Sequence, residues 1–134
     1  MTTVPLSTLL RRALLADAAA SGGSGALLAF AAVPLAGLFG LPALLLQGAG
    51  LFTLAYGVLV AWLGTRERVW RPAVWAVIAG NGLWVLGSAE LLFTSPSLTG
   101  WGQAYVIAQA LAVAVLAELQ FIGLRRAAPA LQAA

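Results

Sequence analysis

The sequence predicts an all-α integral membrane protein, a four-helix bundle with both its N- and C-termini in the cytoplasm. Three observations lead to this prediction. The 134 residues are 62% hydrophobic and only 8% charged, whereas a soluble domain carries about 25% charged residues. Several stretches have the roughly 20 apolar residues that a helix needs to cross the hydrocarbon core. The seven basic residues, all arginines, fall at alternate ends of these stretches.

Four stretches are predicted to span the membrane within a single domain, residues 1–134, at about residues 9–33, 43–63, 73–93 and 104–124. The first contains the run SGGSG at residues 21–25, which in a soluble protein would form a flexible linker. Inside a membrane, small residues let helices approach one another closely. A continuous first helix is therefore predicted, with a broken or re-entrant segment as the alternative.

Two connections without basic residues separate these spans. Residues 34–42 are apolar and bounded by prolines, so this segment should lie in the membrane interface. Residues 94–103 are predicted to form a polar turn in which Pro96 and Gly100 act as helix breakers. Trp101 and Tyr105 follow at the depth where interfacial aromatic anchors are expected.

The arginines predict the orientation. They precede the first span, separate the second from the third, and follow the fourth: Arg11, Arg12, Arg66, Arg68, Arg71, Arg125 and Arg126. Four spans place all of them on one side, which the positive-inside rule makes cytoplasmic. Three spans would divide them between both sides. The predicted location is a cell membrane, crossed several times, and most specifically a bacterial inner membrane.

The composition excludes several kinds of catalytic and metal-binding site. Cysteine and histidine are absent, which removes disulfides, thiol nucleophiles and the commonest ligands of transition metals. We therefore predict no catalytic residue, no metal and no cofactor. The arginines are not interleaved with stacking aromatics as in single-strand binding sites, so nucleic acid is not an expected partner.

Three polar residues are predicted at similar depth in the inner half of the bundle: Asp17, Asn81 and Glu118. Ionisable residues at membrane depth are functional hypotheses by default. One hypothesis is a site where the two carboxylates share a proton or receive a cation, with Asn81 completing the hydrogen bonds. The alternative is structural: Asp17 and Glu118 pair with arginines near the helix ends, which would only fasten those ends, or they form hydrogen bonds between helices.

A second polar level is predicted nearer the outer surface. It comprises Gln47, Glu90 and Gln109. The two glutamines are suited to hydrogen bonds between helices, each contributing about 0.6–2 kcal/mol in lipid. Glu90 lies about one turn from the end of its span, so its carboxylate can reach headgroups or water.

The stretch VPLAGLFGLPALLLQGAGLFTLAYGVLVAW, residues 33–62, resembles the first hairpin of small bacterial four-helix membrane proteins of the DoxX-like kind. Those proteins have a proline- and leucine-rich interfacial turn followed by a glycine-bearing helix. The resemblance implies a compact four-helix membrane fold and, in some members, association with quinone or redox complexes. It transfers no catalytic residue to this chain.

The expected function is that of a small non-catalytic accessory or structural subunit. Such a subunit would pack within the lipid bilayer against itself, as a homo-oligomer, or against a larger membrane complex. The alternative is a small proton-coupled transporter or channel using Asp17, Asn81 and Glu118. A membrane enzyme acting on quinone or lipid is the third possibility.

Overall fold

The computed structural model describes the backbone of residues 3–133 and the side chains of residues 3–127. Its elements are β1 (Thr3–Pro5), α1 (Thr8–Phe30), α2 (Ala32–Phe39), α3 (Ala43–Gly64), β2 (Arg68–Trp70), α4 (Arg71–Thr94) and α5 (Gly100–Ala133). Four of them, α1, α3, α4 and the Gly100–Ala127 part of α5, are long and apolar enough to cross a membrane. The four predicted spans are thereby confirmed as helices.

The first span is one continuous helix. The Ser7 side chain accepts a hydrogen bond from the backbone N–H of Leu10 and caps α1, because the first turn of a helix has no internal partner for its N–H groups. The SGGSG run remains helical throughout, since no water is present in a bilayer core to compete for its backbone hydrogen bonds.

The connection after α1 differs from the prediction. Most of it forms a short helix, α2, which ends where Gly40 adopts a left-handed conformation with φ of 71°. A residue with a side chain is disfavoured there. Most of the segment predicted as an interfacial turn, residues 34–42, thus belongs to a fifth helix. In a helix, its apolar residues can lie on the bundle surface while their backbone N–H and C=O groups are hydrogen-bonded.

The prediction of a purely helical protein also needs a correction. β1 and β2 pair as an antiparallel two-stranded ladder, with Val4 opposite Val69. Each strand has three residues, too few for an alternating pattern to identify in the sequence. The ladder joins the N-terminal segment to the α3–α4 connection.

The helices pack in the order α3, α1, α5, α4, with α1 and α5 in the centre. The α1–α3 contact is tight because glycines face each other: a Cβ placed on Gly25 would lie 2.7 Å from the Gly50 carbonyl oxygen. A Cβ on Gly57 would lie 2.8 Å from the Gly22 nitrogen. By contrast, the backbones of the consecutive spans α3 and α4 lie apart, and the two helices meet through side chains such as Tyr56 and Asn81.

One end of the bundle, which we call the arginine end, gathers all seven basic residues. Arg11 donates hydrogen bonds to the carbonyl oxygens of Gly64 and Arg66, so the start of α1 lies beside the end of α3. Gly123 of α5 packs against Leu10. A buried apolar core that includes Leu10, Leu14, Val60, Val74 and Leu124 fills this end.

The opposite end, the loop end, has a second and smaller core. It is formed by Leu28, Ala32, Phe39, Leu41, Leu46 and Leu98. The α4–α5 connection is fastened to the end of α2, since Thr99 donates to the Leu38 carbonyl and Ser97 to that of Gly40. The two cores leave the middle of the bundle to polar side chains and a cavity.

Candidate functional site

A buried carboxylate lies between the two cores. Asp17 of α1 has 1% of its surface exposed, and its Oδ2 accepts hydrogen bonds from Asn81 Nδ2 at 2.8 Å and Gln120 Nε2 at 2.7 Å. Its Oδ1 accepts one from the Ser21 hydroxyl at 3.1 Å. Buried polar groups need such partners because an unmade hydrogen bond in a dry interior is destabilising.

The side chains that donate to Asp17 have further hydrogen-bond partners of their own. Asn81 Nδ2 also donates to Gln120 Oε1 at 3.0 Å, and Asn81 Oδ1 accepts from the Tyr56 hydroxyl at 2.9 Å. We call Asp17, Ser21, Tyr56, Asn81 and Gln120 the polar cluster. All four spanning helices contribute to it, so it connects α4 to α1 and α3 where their backbones are apart.

The structure separates the predicted inner residues. Asp17 and Asn81 are in direct contact, but the Glu118 side chain is exposed on the outer face of α5. Two residues along a helix correspond to about 200° of rotation, so Gln120 faces the bundle interior where Glu118 does not. The expectation that Glu118 shares a site with Asp17 is therefore wrong in its geometry.

Of the structural alternative, the pairing of Asp17 with arginines also fails for the contacts that are described, whereas hydrogen bonds between helices do form. All described hydrogen bonds to Asp17 come from uncharged side chains. Arg11 instead binds carbonyl oxygens at the end of α3. The Arg66 guanidinium lies 4.4 Å from the Trp62 ring centroid, and that of Arg125 lies 5.6 Å from the Phe121 centroid.

A cavity of about 540 Å³ opens beside the polar cluster. We call it the lateral cavity. Asp17 and Ser21 lie at its inner end, and Leu28 and Leu41 at its outer end, so it extends about 16 Å along α1. Its walls are almost entirely apolar. It exists because α3 and α4 pack against different partners and leave a gap between them.

The predicted outer level is only partly assembled. Gln109 accepts a hydrogen bond from Trp84 Nε1 at 2.7 Å and donates one to Ser88 at 2.8 Å, which joins α4 to α5 along the cavity wall. Gln47 and Glu90 are exposed and take no part in this group. They face outward, so a shared outer level of all three does not form.

Tyr105 was expected as an interfacial anchor but lines the lateral cavity instead. Its hydroxyl lies 2.7 Å from the Ser24 hydroxyl, and its ring stacks on Phe39 with centroids 4.8 Å apart. Tyr105 thus ties α5 to both α1 and α2. The signal that the sequence offers for this role is weak: Ser24 is one of several small residues at helical spacing on α1.

No protein-family model, curated protein or solved structure matches this chain. The resemblance to DoxX-like proteins therefore stays a prediction, and the function has to be argued from the site alone.

The chemistry available at the site is limited. Among the described residues, no group of three or more acidic, histidine or cysteine side chains could hold a metal ion. The cluster presents one carboxylate, two amides and two hydroxyls. Phe52 and Trp84, whose rings stack with centroids 6.2 Å apart, line the cavity beside it. Such a set can bind a molecule by hydrogen bonds, charge and apolar contact.

Proposed function

We propose that this chain is a small non-catalytic integral membrane protein that binds a lipid-like molecule in the lateral cavity. The observation that carries the proposal is the cavity itself, an apolar space of about 540 Å³ with one carboxylate at its inner end. Ligand sites are typically apolar cavities of about 300–1,000 Å³ with a few polar groups that fix orientation. The proposal makes the accessory role more specific: the subunit holds a small molecule.

The contacts across the cavity favour a small molecule over a partner helix. The Tyr56 hydroxyl of α3 donates to Asn81 of α4 at 2.9 Å, and the Phe52 and Trp84 rings stack with centroids 6.2 Å apart. A helix is about 10 Å wide with its side chains. A partner helix could therefore lie across the opening, but it could not enter between α3 and α4.

Access to the cavity runs through the bilayer. Among the residues that line it, Leu45 and Phe52 of α3 are 45% and 62% exposed, and Leu83 of α4 is 69% exposed. These apolar side chains flank the opening on both sides. A molecule dissolved in the membrane can enter between α3 and α4 without passing through water.

For the orientation, we propose that the arginine end faces the cytoplasm of a bacterial cell, as the positive-inside rule requires. The lateral cavity then occupies the middle and outer parts of the bilayer. A homo-oligomer or a larger membrane complex could receive the bound molecule through the same opening, since no loop of the described chain is large enough to cover it.

Matched glycine variants test the proposal. Gly87 lines the lateral cavity and Gly82, on the same helix, does not, while neither has a described neighbour within 4 Å of an added Cβ. We expect native mass spectrometry of protein purified from native membranes to detect a bound amphiphile in the wild type and in Gly82→Leu. Gly87→Leu should have lost it, because the leucine side chain occupies the cavity.

The proposal fails if the wild type carries no such molecule or if both variants retain it equally. A thermal unfolding measurement in detergent serves as the control for folding. Both substitutions add an apolar side chain at an open helix position, so both variants should unfold within a few degrees of the wild type.

A proton-coupled transporter is the second candidate. The observation that favours it is the contact of Asp17 with the lateral cavity, because a carboxylate that meets both substrate and proton can couple their movements. In proteoliposomes, Asp17→Asn would then abolish proton-driven uptake and Glu118→Gln would leave it unchanged. Equal effects of the two substitutions would exclude the cluster as the coupling site.

A further inference from the structure

We propose that the molecule bound in the lateral cavity is an amphiphile with a small cationic head, a primary ammonium group, which pairs with Asp17. This inference rests on the proposed function and adds the chemistry of the ligand head. Four features of the site carry it: the uncompensated carboxylate, the free capacity of one oxygen, the narrow inner end of the cavity and its apolar walls.

The charge of Asp17 is the first argument. A buried carboxylate is normally paired with a cation, because removing it from water without one is strongly unfavourable. The donors to Asp17 in the described chain are a serine and two amides. The described guanidinium contacts of Arg11, Arg66 and Arg125 lie elsewhere. A cationic ligand would supply the missing positive charge.

The hydrogen bonds indicate where the ligand approaches. An ionised carboxylate has about four acceptor positions. Among the described residues, Oδ2 accepts from both amides, whereas Oδ1 accepts from Ser21 alone. Ser21 lines the lateral cavity together with Asp17. An ammonium group at this point could donate to Asp17 Oδ1 and to the Ser21 oxygen at the same time.

The narrow inner end restricts the size of the head. Because only 1% of the Asp17 surface is exposed, a bulky head such as trimethylammonium cannot reach its oxygens. Trimethylammonium also has no N–H to donate. A primary ammonium group is compact and has three donors, so it fits both the space and the acceptors.

The remaining length of the cavity fits an alkyl chain. From the polar cluster outward, the walls are formed mainly by apolar side chains of α1, α3, α4 and α5, including the Phe52 and Trp84 rings. Moving an alkyl chain from lipid into this space changes its free energy little, since both surroundings are apolar. Discrimination between ligands must then come from the head, where a charge-assisted hydrogen bond is stronger than a neutral one.

The test compares three probes that share one chain: ω-bromododecylamine, ω-bromododecanol and ω-bromododecyltrimethylammonium. The test uses a full-length variant in which phenylalanine replaces four of the five tryptophans, Trp62, Trp70, Trp75 and Trp101, so that Trp84 is the single one left. Bromine quenching of Trp84 then reports binding. We expect the amine to bind at least about tenfold more tightly than the other two probes. Asp17→Asn should remove that preference and leave chain binding intact.

If Asp17→Asn does not fold, Ser21→Leu serves instead, because its side chain blocks the inner end while the amide contacts of Asp17 remain. It should likewise abolish the preference for the amine. Equal binding of all three probes would overturn the inference and leave the proposed function standing. Equal binding of the amine and the trimethylammonium probe would also overturn it. Absence of quenching by every probe would overturn the proposed function as well.

Discussion

At the scale of single residues, Asp17 is held by partners that depend on it in return. The Asn81 and Gln120 amides are both buried and both donate to the same carboxylate oxygen. Asparagine at position 17 could still accept from both amides through its oxygen while its NH₂ group faces the Ser21 hydroxyl, which can accept. Alanine at position 17 could not accept any hydrogen bond. Asp17→Asn therefore removes the charge alone, whereas Asp17→Ala removes the charge and the acceptor.

We therefore expect Asp17→Ala to lower the free energy of unfolding by about 2 kcal/mol or more, because two buried amides lose their acceptor. Glu118→Ala, which removes a carboxylate from an exposed position of α5, should change it by less than about 0.5 kcal/mol. Reversible unfolding in mixed detergent micelles would measure both. Similar losses for the two variants would contradict the placement of Asp17 inside the bundle and Glu118 outside it.

The site could be predicted from the sequence only in part. Asp17 and Asn81 stand out because polar residues in a transmembrane stretch are rare and meaningful. Gln120 cannot be predicted in the same way, because the charge of the nearby Glu118 is the stronger signal. The inward face of α5 could not be identified from its pattern, since residues facing lipid are as apolar as those facing the core, and the amphipathic contrast that identifies a buried face in water is missing.

At the scale of helices, α1 and α3 are held together by close backbone approach. A Cβ on Gly25 would lie 2.6 Å from the Leu54 backbone nitrogen as well as near Gly50. Both obstacles are backbone atoms, which cannot rotate away, so the helices would have to separate. Without a hydrophobic force between helices in lipid, this packing is a main source of association.

Gly25→Ala should accordingly destabilise the protein, by about 1–3 kcal/mol as for other overpacked sites. Gly23→Ala is the matched control two residues away, where an added Cβ meets nothing within 4 Å. It should be neutral or slightly stabilising, because alanine is the better helix former. Thermal unfolding in detergent would compare them, and a Gly25→Ala variant as stable as Gly23→Ala would contradict the α1–α3 contact.

The elements could be predicted from the sequence to different degrees. The three long apolar stretches predict α3, α4 and α5 closely. The prediction for α5 is too short at both ends, because α5 begins at Gly100, inside the turn predicted for residues 94–103, and continues to Ala133, beyond the predicted end at residue 124. The short helix α2 and the β1–β2 ladder were missed. Both depend on contacts between distant residues, such as those of Thr99 with Leu38 and Phe39, which no local pattern encodes.

At the scale of the whole molecule, the surface is that of a protein dissolved in lipid. Phe30, Leu44 and Phe93 are each more than four-fifths exposed, and such side chains would make a soluble monomer aggregate. The two ends differ: the arginine end has a larger apolar core and the loop end a smaller one, with the lateral cavity between them.

The same asymmetry predicts the orientation in the membrane. Because all seven arginines lie at one end, and both the β1–β2 ladder and the last turns of the spanning part of α5 lie there too, both termini should be cytoplasmic. A reporter fused to the C-terminus should be active in the cytoplasm. One inserted within residues 94–103 should be active only outside it, whereas a C-terminus found outside would contradict the orientation. As a sharper check, replacing Arg66, Arg68 and Arg71 together should weaken the preference for this orientation. These three arginines flank two spans at once and supply three of the seven positive charges.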